Sequence, residues 1–298
     1  MIRTRKFVML VAVLALVGAA CGKTKNVESP SGSPSATPLA ETSFDQCAIN
    51  QGAQVPAAAT GTTFSTKKAG ELLVGSDTTY PPFESIEGGK AVGFDVDLIT
   101  EIAKRLNVTP KIQTAAFDTI FTALAAHKYD VVISAVTIKE SRKATVDFAD
   151  PYFNSDQSIA VDVAKQAEIK GVDQLATKTV GVQKGTTGED CAKALKGLGK
   201  IKEVRSYADI PTAFSDMSAG RIDAVLNDLP TSKRIVEQRS GTLRLVQIIR
   251  TKEAYGIAVP KDNPNLRDQI NKALAAMKTD GTYKTLFVKW FKTEPPAE

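Results

Sequence analysis

Apolar residues along this chain follow two rhythms. Short unbroken runs, Leu72-Leu73-Val74-Gly75, Val131-Val132-Ile133, Val180-Gly181-Val182 and Ala224-Val225-Leu226, predict strands covered on both faces. Between them apolar positions recur at intervals of three and four. Val96, Ile99, Ala103 and Leu106 do so behind Asp95, as do Ile120, Phe121 and Leu124. Cys191, Ala194, Leu195 and Leu198 repeat the spacing, as do Ala213, Phe214 and Met217. These sets predict helices with one buried face. Lys111-Ile112-Gln113 and residues 255–259 read as further strands; Ile270, Leu274 and Met277, then residues 283–291, read as two closing helices. Strands alternating with helices imply an α/β chain with mainly parallel sheets.

One phrase occurs twice. Leu124-Ala125-Ala126-His127-Lys128-Tyr129-Asp130-Val131-Val132-Ile133 lies over Met217-Ser218-Ala219-Gly220-Arg221-Ile222-Asp223-Ala224-Val225-Leu226. Each copy reads as a helix end, a tight turn with a basic residue, an Asp and a buried strand. Two copies about 93 positions apart predict two similarly built lobes. Ligands of open α/β sheets sit beyond the carboxyl ends of the strands. Those ends are residues 134–137 in one lobe and Asn227-Asp228 in the other, so facing lobes would share one polar cleft.

The N-terminal region follows neither rhythm. Arg3, Arg5 and Lys6 precede an uncharged apolar run from Phe7 to Val17, too short for a membrane span and suited to a signal segment. Gly18-Ala19-Ala20-Cys21 then resembles a lipobox, with Gly18 where an aliphatic residue usually stands. Residues 1–20 are therefore read as a signal peptide and Cys21 as a lipid anchor, against an ordinary signal peptide with a chance Cys. Residues 21–67 are read as the anchor and a flexible tether, because the stretch to about Ser43 is rich in Ser, Pro, Thr and Gly with few large apolar residues. Residues 44–64 give no clear period. No other stretch is long and apolar enough to cross a bilayer.

Composition narrows the function. The 298 residues suffice for two compact domains. The formal charge is +5; without the three basic residues of the signal segment Lys+Arg falls from 38 to 35 against 33 acids, leaving +2. That is no footprint of a nucleic-acid binder. The one histidine, His127, stands at the helix end of the duplicated phrase, where its counterpart is Gly220, and reads as a surface residue. There is no Cys/His metal spacing and no GxSxG, and Gly185-Thr186-Thr187-Gly188 lacks the Lys-Ser of a nucleotide loop. No cofactor and no metal are expected. With Cys21 acylated, Cys47 and Cys191 remain; in an oxidising compartment they are expected to pair, the alternative being two separate thiols.

The motifs in order resemble one family. They are Gly75-Ser76-Asp77-Thr78-Thr79-Tyr80-Pro81-Pro82-Phe83-Glu84, Val92-Gly93-Phe94-Asp95-Val96-Asp97-Leu98, Thr137-Ile138 with Arg142-Lys143, and Val146-Asp147-Phe148-Ala149-Asp150-Pro151-Tyr152. Gly185-Thr186-Thr187-Gly188, Ala224-Val225-Leu226-Asn227-Asp228, Gly281-Thr282-Tyr283 and Lys289-Trp290-Phe291 follow. From about Lys68 to Thr293 the chain is similar to the polar amino-acid-binding solute-binding proteins of ABC importers, of the glutamine- and lysine/arginine/ornithine-binding type. The resemblance implies a two-lobed type II periplasmic-binding-protein fold. Residues 68–152 plus 256–298 would form lobe 1 and 156–251 lobe 2, with hinge segments near 152–156 and 251–255. It also implies a lipid-anchored monomer on the extracytoplasmic face of the cell membrane, working with ABC permease subunits and performing no catalysis. A dehydratase of the same fold or a stand-alone amino-acid sensor are the alternatives; a sensor would need a signalling segment beyond Glu298.

The same resemblance assigns a ligand set that also makes chemical sense. Arg142 meets an α-carboxylate with its planar fork. Thr137 offers a hydroxyl, Ala135 a backbone carbonyl and Thr187 an N–H at a helix start. Asp228 neutralises the ammonium. Asp77, Tyr80 and Phe117 shape the side-chain end, with Gln183 and Asn227 beside it. Relative to glutamine-binding members Gln183 replaces a lysine and Asn227 a histidine. Asp77 is then an unbalanced negative charge between two aromatic faces, which predicts a cationic amino acid, arginine before lysine. Glutamine comes next, and acidic ligands last, admitted only if Lys184 swings in.

Overall fold

The unbroken apolar runs form the middles of two sheets in the computed structural model, which describes residues 39–50 and 61–296. The expected signal segment and Cys21 lie outside the described residues. In the first sheet Thr109–Thr114, Glu71–Ser76 and Val131–Val132 run parallel, and Ala258–Val259 lies antiparallel between Val131–Val132 and Asp147–Phe148. In the second sheet Glu203–Tyr207, Thr179–Gln183 and Ala224–Asp228 run parallel, and Phe153–Asp162 and Leu243–Tyr255 extend it antiparallel. Thr79–Tyr80, Glu84–Glu87 and Lys90–Val92 form a small antiparallel sheet of their own. Apolar layers cover both sheets, which is why their strands carry unbroken apolar runs: Ile120, Leu124 and Val132 lie in one layer, Leu72, Val74 and Ile99 in another, Val180, Val182 and Leu195 in a third.

The duplicated phrase does the same structural work twice. Asp130 Oδ2 accepts the amide of Leu73 at 2.7 Å, and Asp223 Oδ2 accepts the amide of Thr179 at 2.7 Å. Each Asp thus ties one strand, Glu71–Ser76 or Thr179–Gln183, to the turn before the strand that pairs with it. The preceding residue packs on a glycine of that strand. A Cβ on Gly75 would come 2.6 Å from the Tyr129 ring, and one on Gly181 2.4 Å from Ile222 Cδ1. His127 and Gly220 both take left-handed backbone angles, φ 55° and 77°, which end their helices. His127 is exposed and pairs with Asp262 at 3.3 Å.

Residues 255–259 are not one strand. Tyr255 ends the 13-residue strand Leu243–Tyr255, and only Ala258–Val259 joins the first sheet. The chain passes between sheets here, and the apolar run conceals the passage because both of its ends are buried. Opposite it, Phe153–Asp162 pairs with Leu243–Tyr255 through a bulge. Ile249 faces Gln157 and the next pair is Glu253 with Ser155, so residues 250–252 stand against Asp156 alone. Asp156 Oδ1 accepts the amides of Thr251 and Lys252 at 2.8 and 3.1 Å, which supplies the extra residues with partners. Its Oδ2 pairs with Arg250 at 2.6 Å.

The tether expectation needs correction within residues 21–67. Ala40–Thr42 is a strand, parallel to Leu243–Tyr255 at the edge of the second sheet, and Glu41 takes Arg250 with both carboxylate oxygens at 2.6 and 3.0 Å. The segment is not apolar enough to announce this, because an edge strand needs only backbone bonds and one ion pair. Cys47 is buried beside Ile159, Val161 and Leu195 and forms a disulfide with Cys191 across 144 positions. Ile49 then donates to the Thr251 carbonyl, and Asn50 accepts the amide of Glu140 beside the first sheet. Residues 61–67 also pack on that side: Asn265 donates to the Thr63 carbonyl at 2.7 Å and Lys67 donates to Asp130 at 2.6 Å.

Closing so long a loop restricts the unfolded chain strongly. Replacing both cysteines by serine is therefore expected to lower unfolding free energy by about 2–5 kcal/mol in a denaturant titration. Hydrogen exchange at Ile49 should accelerate with it. Coincident denaturation midpoints for parent and variant would contradict this.

Candidate ligand-binding cleft

The carboxyl ends of the central strands converge on a small cavity. Tyr80, Phe117, Ala135, Thr137, Arg142, Gln183, Thr187 and Asp228 line it, and Ser134 and Thr186 join them. Asp77 and Asn227 stand one hydrogen bond behind, through Gln183 and Tyr80. The fold thus brings all ten residues of the expected set together.

Arg142 lies in the short helix Glu140–Lys143 and is 5% exposed. Its Nη1 donates to the Thr137 carbonyl at 2.7 Å and its Nη2 to the Gly185 carbonyl at 3.1 Å. The guanidinium lies 5.3 Å from the Phe117 ring centre and 4.8 Å from that of Phe121. Phe117, expected to face a ligand side chain, therefore stacks on Arg142 as well. Burial brings the guanidinium down to about 10, opposed first by the charge of Glu253 and then by Asp190 and Asp228. It stays charged at neutral pH.

Two carboxylates face this cation. Asp228 stands before the helix Leu229–Gln238 but does not cap it with its side chain. Its Oδ1 accepts Gln157 Nε2 at 2.5 Å and its Oδ2 the Tyr255 hydroxyl. Burial, helped by the charge of Glu253, pushes Asp228 up to about 7. Glu253, 1% exposed, accepts the hydroxyls of Thr137 and Thr187 on Oε2 at 2.5 and 2.7 Å. Thr187 opens the helix Thr187–Gly197, where the Thr186 side chain accepts the amide of Glu189 at 3.1 Å. The first amides of that helix have no intrahelical acceptor, which suits an anion.

The far end is held by neutral groups. Asp77 accepts the Thr79 hydroxyl at 2.7 Å and Gln183 Nε2 at 2.6 Å, and burial raises its carboxyl. The Tyr80 hydroxyl donates to Asn227 at 2.8 Å. Ala135 takes a left-handed φ of 45°, and its amide donates to Asp95 Oδ2 at 2.7 Å. Tyr152 donates to the same oxygen, and Ser134 donates to Glu84 at 2.6 Å. Burial pushes Asp95 up to about 6 and, with the charge of Asp95, drives Glu84 well above the usual carboxylate range. A buried acid pair thus fixes the loop that carries Ser134 and Ala135. At the rim Lys184 pairs with Asp118 at 2.8 Å and Lys139 with Asp190 at 2.5 Å. Lys184 is engaged there rather than beside Asp77. Among the described residues no cluster of His, Cys, Asp or Glu is arranged to hold a metal ion.

Sequence reasoning missed Glu253, Gln157 and Phe121 as parts of the site, and placed Ser134 only at the strand end. Glu253 and Gln157 sit in the ribbon between the sheets, where no motif marks them. Both stand in polar stretches, residues 154–158 and 250–253, that no apolar rhythm singles out.

The titration of Asp228 acts in opposite directions on stability and on binding. Its raised value means that the folded, empty protein keeps a proton between about pH 4 and about pH 7 that the unfolded chain has lost. This contribution to stability is full below about pH 4 and is lost as pH rises through about 7. Affinity for a ligand ammonium should instead rise over about pH 6 to 8, as the carboxylate forms. Thermal unfolding and calorimetric titration across that range check both signs; an affinity flat in pH would contradict the role given to Asp228.

Residues 72–293 match the model of bacterial extracellular solute-binding proteins, family 3. The L-cystine-binding protein TcyJ of Escherichia coli K12 is 37% identical over 228 residues, which cover 76% of this chain and 84% of that protein. The ABC transporter arginine-binding protein 1 of the same organism is 33% identical over 234 residues, covering 77% and 94%. An ancestral arginine-binding protein bound to arginine superposes with a TM-score of 0.71 at 42% identity, over 74% of this chain and 98% of that one. With its two-lobed type II architecture, this chain belongs to family 3 of the bacterial extracellular solute-binding proteins.

Proposed function

We propose that this protein is the extracytoplasmic receptor of an ABC importer for a polar L-amino acid, with arginine first and lysine second. The observation that carries the reading is that one buried guanidinium, Arg142, and one buried carboxylate, Asp228, line the same small cavity, with Glu253 buried behind it. An α-amino acid brings a carboxylate for the first and an ammonium for the second. At the side-chain end Asp77 is a buried carboxylate met by the neutral Thr79 and Gln183, an environment that a guanidinium or ammonium completes. One buried guanidinium facing three buried carboxylates favours a cationic ligand over a neutral one, and Lys184, held by Asp118, does not offset them. Arginine-binding relatives support the same choice.

A second reading has its own support in the cystine-binding relative. Cystine carries a second ammonium for Asp77 but also a second carboxylate, which would lie beside Asp77 without a buried cation to meet it. Glutamine stays behind arginine and lysine for the same electrostatic reason, although Gln183 and Asn227 offer amide partners. One matched structure is an ancestral amino-acid-binding protein described as a precursor of cyclohexadienyl dehydratase. A dehydratase would consume its ligand, whereas a receptor returns it unchanged. Delivery to permease subunits as a monomer completes the proposal.

Calorimetric titration with arginine, lysine, glutamine and cystine tests the ligand. Arginine and lysine are expected to bind, and Arg142→Ala should weaken them roughly a hundredfold or more by leaving a carboxylate unpaired in a closed cleft. Micromolar or tighter cystine or glutamine binding without arginine or lysine binding would overturn the cationic assignment.

Cys21 is proposed to carry the lipid that holds the protein on the membrane. Cys21→Ser is expected to move the protein to the soluble fraction, because no helix among the described residues is long and apolar enough to cross a membrane. Unchanged membrane recovery would refute the anchor.

A further inference from the structure

The bulge in the ribbon between the sheets sets one buried carboxylate directly behind the cleft. Glu253 is the first residue to pair again after residues 250–252, whose freed amides Asp156 accepts. Its Oε2 takes one hydroxyl from each side, Thr137 from the loop beyond the first sheet and Thr187 from the helix beyond the second. Its Oε1 takes Gln157 Nε2 at 2.6 Å and the Thr251 hydroxyl at 3.0 Å. The same Gln157 nitrogen reaches Asp228 Oδ1 at 2.5 Å. One amide NH2 has two hydrogens, and here each serves a carboxylate. The opposite amide orientation would set an oxygen against both, so this one is fixed.

We propose that Glu253 is a specificity-determining positioning residue, which with Gln157 holds Asp228 and the two threonines in the arrangement that receives an α-ammonium. The inference rests on the amino-acid reading above and goes beyond it by naming what makes the site demand an amine. Two carboxylates joined through one neutral amide carry more negative charge than their donors balance. An ammonium at Asp228 supplies further donors and a full charge. An Asp228 without Glu253 behind it would form an ordinary single ion pair, and the hydroxyls of Thr137 and Thr187 would lose their common acceptor. Glu253 does not line the cavity; it acts through Thr137, Thr187 and Gln157.

Ligands that lack the amine separate this role from a merely structural one. Arginine and glutamine are titrated by calorimetry, each beside its des-amino analogue, δ-guanidinovalerate and glutaramate, into the parent, Glu253→Gln and Glu253→Asp. The parent should prefer the amine-bearing member of the pair that it binds. Glu253→Gln should shrink that preference roughly tenfold or more, chiefly by weakening the amino acid. Glu253→Asp, which keeps the charge one methylene farther away, should fall between. Melting curves of the empty proteins show whether each variant is folded; if Glu253→Gln is not, Glu253→Asp decides alone, and an unchanged preference in it overturns the proposal. An equal loss for amino acid and analogue, or no loss in either, also overturns it. A parent that binds none of these ligands overturns instead the reading on which it rests, and the two failures are distinct.

Discussion

A charge taken out of water needs an opposite charge taken out with it, and in this protein Arg142 sets that demand. Its guanidinium is almost fully buried, stacked on two phenylalanine rings, and its own hydrogen bonds go to neutral carbonyls of Thr137 and Gly185. The compensating anions come from elsewhere: Asp228 from the end of a strand in the second sheet, Glu253 from the ribbon between the sheets. Each charge costs less to bury beside the others, since an isolated ion in a dry cleft costs several kcal/mol. The cleft is thus a balance of charges contributed by both sides.

Around this centre the two sides repeat one construction. Asp130 and Asp223 hold Glu71–Ser76 and Thr179–Gln183, Tyr129 and Ile222 lie on glycines that admit nothing larger, and the strands end at the cavity. The repetition stops where the ligand groups begin. Beyond one strand stand Ser134 and Ala135, fixed by the Glu84–Asp95 acid pair; beyond the other stand Asn227 and Asp228, fixed by Tyr80, Gln157 and Tyr255. Similar scaffolds therefore carry different chemistry at the two sides of the cavity.

The ribbon does more than connect. Its bulge consumes the side chain of Asp156 and the ion pair of Arg250 with Glu41, and through Glu41 it reaches the N-terminal strand. Cys47 locks that strand's extension to the helix that opens with Thr187, while Asn50 touches the helix of Arg142. The N-terminal segment is in this way a third link between the two sides, added to the two strands of the ribbon.

The sequence by itself determined the strands, the helices and the doubling, because a strand buried on both faces must be continuously apolar and a helix with one buried face must repeat every three to four residues. It also placed Arg142, Asp228, Asp77 and the threonines at strand and helix ends, where a resemblance of motifs assigned them roles. Only the tertiary structure decided the rest. Residues 40–50 hold their place through backbone pairing, one ion pair and a disulfide, which leave no period in the sequence. The strand break at Gly256 was hidden because both sheets bury what lies on either side. Glu253 and Gln157 became part of the cleft through a register shift in a ribbon, and register is a property of two strands together that neither strand's residues record alone.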